Sequence, residues 1–262
     1  MLNPLLIKEF RVQMRGRETY AVGTIYILAL SALIFSLIWE ASTGEKVLDP
    51  EYGREMFLAF AITLILAICL ICPAFTVGAV SSERERLTFD QLRVTLLRPH
   101  QILIGKAGPP LAYALILLFA SLPVAILIVP AGGVSPREMA SCYLIAFISA
   151  IAFSLIGLMW SSIYRNTRPS TVMTYAITGF FTFGTAMVPM ILSGVFRVRV
   201  NRILVDLFIA LNPFHAVFNV FGRGRQLQLA GLSPWAIVTT GYLIISAIAV
   251  CVALVKFKKM RG

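Results

Sequence analysis

The side chains able to do chemistry are few: two histidines, twelve aspartates and glutamates, and four cysteines in 262 residues. Cys69 and Cys72 stand in a C-x-x-C spacing, which in other settings lowers a thiol pKa for redox exchange or supplies half of a zinc site. Here both lie in an uncharged apolar run with no histidine beside them, and they read better as small core hydrophobes. Cys142 and Cys251 also fall in apolar runs, so the four outline no secreted disulfide framework. Gly105-Lys106 is the nearest approach to a phosphate loop. His100 and Ala107 occupy the positions where G-x-x-x-x-G-K-[ST] needs a glycine and a hydroxyl residue. Asp206 and His215 come closest to an acid–base pair, and the long apolar runs hold almost no other ionisable group. No catalytic residue, no metal ligand set and no cofactor of its own is assigned to this chain.

Charge gathers instead in one segment, residues 77–106. Ser82-Glu83-Arg84-Glu85 reads as a capping box, serine and glutamate three apart satisfying each other's amides. Glu83 and Glu85 then sit in a first turn, where the helix dipole favours negative charge. Phe89, Leu92 and Leu96 make an apolar stripe at helical spacing, Arg86 and Asp90 are set to pair at i, i+4, and Arg98-Pro99 stops the helix. A short charged amphipathic helix follows from this pattern. Its apolar stripe needs burial, and Glu83, Arg84, Glu85, Arg86, Asp90 and Arg93 are its candidates for gripping another protein.

What holds that segment is membrane-embedded. The chain is 58% hydrophobic and 13% charged, where a soluble domain carries about a quarter charged residues. Six apolar runs, 20–39, 56–80, 107–129, 140–164, 171–196 and 235–255, are each long enough as helices to cross ~30 Å of hydrocarbon. The first is a span and not a signal peptide, because it is uncharged throughout and no small-residue cleavage motif follows it. Pro73, Pro123 and Pro189 fall inside spans, where kinks are expected. The predicted fold is all-α, a single transmembrane domain over 1–262.

The net charge of +11 is a topology signal. With the N-terminus inside, Lys8, Arg11, Arg15, Arg17, the arginines of 84–98, Arg165, Arg168 and the tail from Lys256 to Arg261 all fall on the cytoplasmic side. Both termini and 81–106 are therefore expected inside, 40–55 and 197–233 outside, in the cell's inner membrane. Nucleic acid is not an expected partner. Before the first span, Leu2, Leu6, Phe10 and Met14 recur every four residues among cations, the pattern of a helix lying in the headgroup plane of the bilayer. Residues 203–221 are apolar but contain Asp206, Asn212, Pro213 and His215. The Asn-Pro step breaks a helix, and a seventh span would carry the basic tail outside. Two short half-helices dipping in from the outer face are expected there. In the fifth run Thr171, Thr174, Thr178, Thr182 and Thr185 share one helical face, with Tyr175 beside them. Packing with hydroxyls bonded one turn back is the first reading; a translocation path or dimer interface is the second.

The 83–106 segment resembles the consensus of ABC transporter permeases of the type-2 export class, loosely E-x-E-x-G-T-x-x-x-L-L-x-T-P-L-S-x-x-x-I-x-x-G-K. Glu83, Glu85, Thr88, Leu92, Thr95, Ile102, Gly105 and Lys106 match it. Leu87 replaces the usual glycine and Leu96 the usual proline, losses that predict a straighter and longer helix. The order of an interfacial helix, six spans, a charged loop after span two and an apolar hairpin before span six resembles the family along nearly the whole chain. The resemblance implies a permease paired with a second copy or a relative, coupled through a helix at 81–106 to separate ATPase subunits that hold ATP and Mg, and exporting a substrate. A non-transporting membrane scaffold that docks partners through the same helix is the alternative. Ion-coupled transport is disfavoured by the empty spans.

Overall fold

The computed structural model describes residues 4–43, 50–87, 99–129, 132–194, 202–224 and 234–261. Helix α1 (Pro4–Arg15) turns at Gly16 into α2 (Arg17–Thr43). Then come α3 (Pro50–Thr76), the short α4 (Ser81–Glu85), α5 (Pro99–Ile128) and α6 (Pro136–Ile163). The fifth span is composite: α7 (Thr167–Gly179), a π-turn (Phe180–Gly184) and α8 (Thr185–Gly194). Two short helices, α9 (Arg202–Ala210) and α10 (Pro213–Val220), precede α11 (Pro234–Arg261). Among the described residues there is no strand, and six helices are long and apolar enough to cross a membrane. They coincide with the six runs read from the sequence.

Helix α6 is the axis. In its apolar stretch 72% of residues are buried, against 22% in the first and fifth spans. It packs on α3, α11, α5, α7 and α10. Phe153 at its middle meets the Tyr242 ring of α11 edge-on at 5.4 Å, and both side chains are buried. At Gly157 the α3 backbone comes so near that any Cβ would overlap the Thr76 hydroxyl and lie 3.4 Å from the Pro73 carbonyl. The Thr76 side chain thus fills the space beside Gly157, and α3 and α6 approach closely there. The start of α6 carries a true capping box that the sequence reading passed over. The Glu138 amide donates to Ser135 Oγ at 3.2 Å and the Ser135 amide donates to Glu138 Oε2 at 2.8 Å, with Pro136 in the first turn.

The end of the bundle opposite α1 is braced by charge. Arg54 of α3 pairs with Glu138 of α6 at 2.7 Å and lies over the Phe221 ring at 5.5 Å. Arg223 pairs with Glu55 at 3.1 Å and Glu51 at 3.7 Å. It is aimed there because Gly222, at φ 70°, ends α10 in a left-handed cap. The Gly222 and Arg223 amides donate back to Asn219 and Phe218 carbonyls. One arginine flanking the 203–221 segment is thereby accounted for. Arg197, Arg199 and Arg225 lie outside the described residues, as does the side chain of Arg202.

Pro73, Pro123 and Pro189 all lie inside helices. Helices α3 and α5 run unbroken through Pro73 and Pro123. The span that breaks register is the fifth, in the π-turn a turn before Pro189, whose missing N–H already loosens that ladder. Helix α1 packs on α5 through Leu6, which sits against Gly108, and Met14 packs against the core. Of the rest of the expected stripe, Phe10 is exposed together with Ile7, Val12, Lys8, Arg11 and Arg15, and Leu2 lies outside the described residues.

Candidate functional site

The charged segment after span two is a junction of four helices. The chain leaves α3 through a turn at 77–80 whose exit is fastened by serines. The amides of Val80 and Ser81 both donate to Ser161 Oγ near the end of α6, at 2.9 and 3.0 Å. Ser81 Oγ and Ser170 Oγ of α7 both donate to the Val77 carbonyl, at 3.1 and 3.0 Å. Val80, Ser81, Ser161 and Ser170 are all fully buried. The polar atoms freed where α3 ends are therefore satisfied by two other spans.

This replaces the capping box expected at Ser82. Helix α4 begins at Ser81, and its first amides are already taken by Ser161. Ser82 Oγ turns back to donate to the Gly78 carbonyl. Glu85 instead crosses to α7, where its carboxylate accepts from the Thr167 amide at 3.2 Å and the Thr167 hydroxyl at 2.9 Å. It caps the N-terminus of α7, where the dipole favours a negative charge and where Asn166 makes no side-chain cap of its own. Arg84 extends toward the Tyr164 carbonyl at the C-terminus of α6, the end that favours a cation.

Glu83 points into the bundle. Its carboxylate is 2.9 Å from the Lys106 ammonium, which is also 3.3 Å from Glu9 of α1. Lys106 is 3% exposed, a buried cation between two carboxylates drawn from different helices. Neither Glu9 nor the pairing of Lys106 was anticipated. The one signal for Lys106 was its place in the Gly105-Lys106 pair that matches the family consensus.

The segment ends sharply. Leu87 has φ 58°, the left-handed conformation that ordinarily falls to glycine, and it stands 73% exposed. A helix beginning at Ser82 and running on straight past Leu87 is thus not what forms: α4 closes at Glu85, and the backbone turns through the left-handed region at Leu87. Arg86 is exposed beside it. Asp90 and Arg93, with the stripe Phe89, Leu92 and Leu96, lie outside the described residues.

The second predicted group, in span five, is gathered around the π-turn. Thr174, Thr178, Thr182 and Thr185 are all buried against the chain itself. Thr174, Thr182 and Thr185 donate to the carbonyls of Ser170, Thr178 and Phe181, and half-buried Thr171 donates to Thr167. Tyr175 Oη donates to the Leu70 carbonyl of α3 at 2.9 Å. Asn212 joins this face to the 203–221 segment. Its Oδ1 accepts from the Phe214 and His215 amides, capping α10 ahead of Pro213, while its Nδ2 donates to the Thr182 carbonyl at 2.9 Å and Thr185 Oγ1 at 3.0 Å. The break at Asn212-Pro213 thus falls where the sequence placed it. His215 stands 3.2 Å from the Asn219 amide on the same helix, and Asp206 is buried in α9. Cys69 and Cys72 are buried free thiols, and among the described residues no three His, Cys, Asp or Glu side chains cluster as a metal site would need.

The sequence profile of the ABC-2 type transporter family matches residues 3–221, from α1 through the end of α10. No curated protein matches the chain. The match takes in the α4 junction, five of the six long apolar helices and the Asn212 connection. The chain belongs to the ABC-2 type transporter family, as a multi-pass permease component of an ABC transporter.

Proposed function

We propose that this permease is the membrane-spanning subunit of an ATP-driven exporter, worked through the α4 junction by ATPase subunits on separate polypeptides. The α4 junction carries the reading: five residues of helix are tied to three other parts of the bundle at once. Displacing α4 pulls α1 and α5 through Glu83, Lys106 and Glu9, α6 through Ser161, and α7 through Glu85 and Thr167. The exposed Arg86 and Leu87, with Asp90 and Arg93 in the segment that follows, grip the ATPase. Glu83, turned inward, and Glu85, exposed and bonded to Thr167, transmit the motion, and Arg84 steadies the α6 end. ATP and Mg are held in the partner ATPase, and two permease chains, alike or related, enclose the path.

The cations Lys8, Arg11, Arg15, Arg86, Arg165, Arg168, Lys258 and Lys259 are all exposed and fall at the α1 end of the bundle or in its tail. Their preference for the inner side of the cytoplasmic membrane puts both termini and α4 in the cytoplasm, with 203–221 dipping in from outside.

The test separates gripping from transmission. Arg86→Glu with Leu87→Asp should abolish co-purification of the ATPase in mild detergent and leave the permease in the membrane. Ser161→Ala should keep co-purification but lower permease-stimulated ATP hydrolysis. Undiminished co-purification after the Arg86/Leu87 change removes this surface from the docking site.

A further inference from the structure

A groove of about 310 Å³ runs between α2 and α5 beneath the α1–α2 corner. One wall is the α2 face Tyr20, Gly23, Thr24 and Ile27; the other is the α5 face around Ile116, Leu117 and Ala120. Gly23 and Ala120 leave the space that larger side chains would close. Three of the four hydroxyls in the walls are engaged, and the fourth belongs to Tyr20, which stands exposed. Thr19 Oγ1 donates to the Gln13 carbonyl, Thr24 Oγ1 to the Tyr20 carbonyl, and Tyr113 Oη to the Thr19 carbonyl at 2.7 Å. The groove therefore presents mostly hydrocarbon. Tyr20, Ile27 and Ile116 stand exposed at its lips, so it opens sideways to the bilayer.

Its mouth is cationic. Arg15 and Arg17 flank Gly16 in the short stretch of chain between the lining residues Met14 and Thr19, and Arg11 and Lys8 precede them on α1; all four are exposed. From Arg17 to Ile27 an α-helix descends about 15 Å, half the ~30 Å thickness of a hydrocarbon core. An apolar slot one leaflet deep, capped by arginines at headgroup level, matches one molecular shape.

We infer that this groove is a binding site for an anionic phospholipid, one acyl chain lying between α2 and α5 and the headgroup phosphate on Arg15 and Arg17. Placing that lipid in the inner leaflet rests on the orientation proposed above; the groove and its cations do not. The bound lipid would wedge α2 and α5 apart about two turns along α5 from Lys106.

The experiment uses the full chain in lipid nanodiscs, with phosphatidylglycerol or phosphatidylcholine carrying a photoreactive diazirine on one acyl chain, followed by peptide mapping. Phosphatidylglycerol should label 20–27 and 113–120 well above the lipid-facing residues of 172–191, and phosphatidylcholine should label the groove less. Arg15→Gln and Arg17→Gln should each lower groove labelling by phosphatidylglycerol about fivefold, leaving phosphatidylcholine labelling unchanged. Ala120→Phe should remove groove labelling by both lipids. Even labelling of all apolar faces in the unaltered chain, or equal groove labelling by the two headgroups, overturns the proposal without any variant having to fold.

Discussion

Leu87 holds a backbone conformation that an L side chain reaches only at a penalty of roughly 1–2 kcal/mol. Part of that returns if glycine is placed there, since glycine gives up more chain entropy on folding. Leu87→Gly should therefore raise thermal stability in detergent by about 0.5–1 kcal/mol, and a fall would show that the exposed leucine is held by contacts of its own. Lys106 is the opposite case. Removing one partner of a buried ion pair leaves the other charge stranded, at about 3–5 kcal/mol, and Lys106→Met strands two carboxylates. That variant should accumulate poorly, and Glu9→Gln introduced with it should recover part of the loss; no recovery would mean Glu9 and Lys106 do not share an interaction. Glu9 escaped the sequence reading because its partner lies 97 residues away and no local pattern encodes such a distance. The two serine–glutamate boxes make the same point. Ser82 and Ser135 both precede a glutamate by three residues, yet only Ser135 caps. At α4 the Ser82 amide and hydroxyl both donate to the Gly78 carbonyl and the Glu85 carboxylate is taken by Thr167, partners invisible from residues 82–85.

The six long helices were legible because runs of about twenty apolar residues have one stable helical solution across hydrocarbon. The stop at Asn212-Pro213 was legible because it is steric and local. The π-turn was not, since its extra residue is stabilised by the Asn212 amide arriving from outside the span. Two substitutions separate the jobs of that asparagine. Asn212→Asp keeps the α10 cap but cannot donate to Thr182, whereas Asn212→Ala loses both. The alanine variant should be less stable by about 1–2 kcal/mol for the cap, plus the stranded Thr182 carbonyl. The aspartate variant should lose only the second part, and equal losses would assign all the effect to one half of the side chain. Between α3 and α6, Gly157→Val puts atoms where the Thr76 hydroxyl lies. The helices must separate, and about 1–3 kcal/mol of stability should go with the packing, read as a lower unfolding midpoint in detergent.

For the whole molecule the sharpest expectation concerns sidedness. With Cys69, Cys72, Cys142 and Cys251 replaced, a cysteine at Glu51 should react with an impermeant thiol reagent added to intact cells, and one at Lys258 only after permeabilisation. Reaction of the tail from outside would overturn six crossings in favour of seven. The bracing at the far end of the bundle also bears on the order in which the chain is assembled. Arg54 emerges from the ribosome 84 residues before Glu138, and Glu55 emerges 168 residues before Arg223. Span two must be inserted while its terminal charges are still unanswered, and a nascent chain shorter than Gly222 holds only the Arg54–Glu138 brace. Arg223 is the last of these charges to be made, so the opposite rim of the bundle is fastened only after five of the six spans are already in the bilayer.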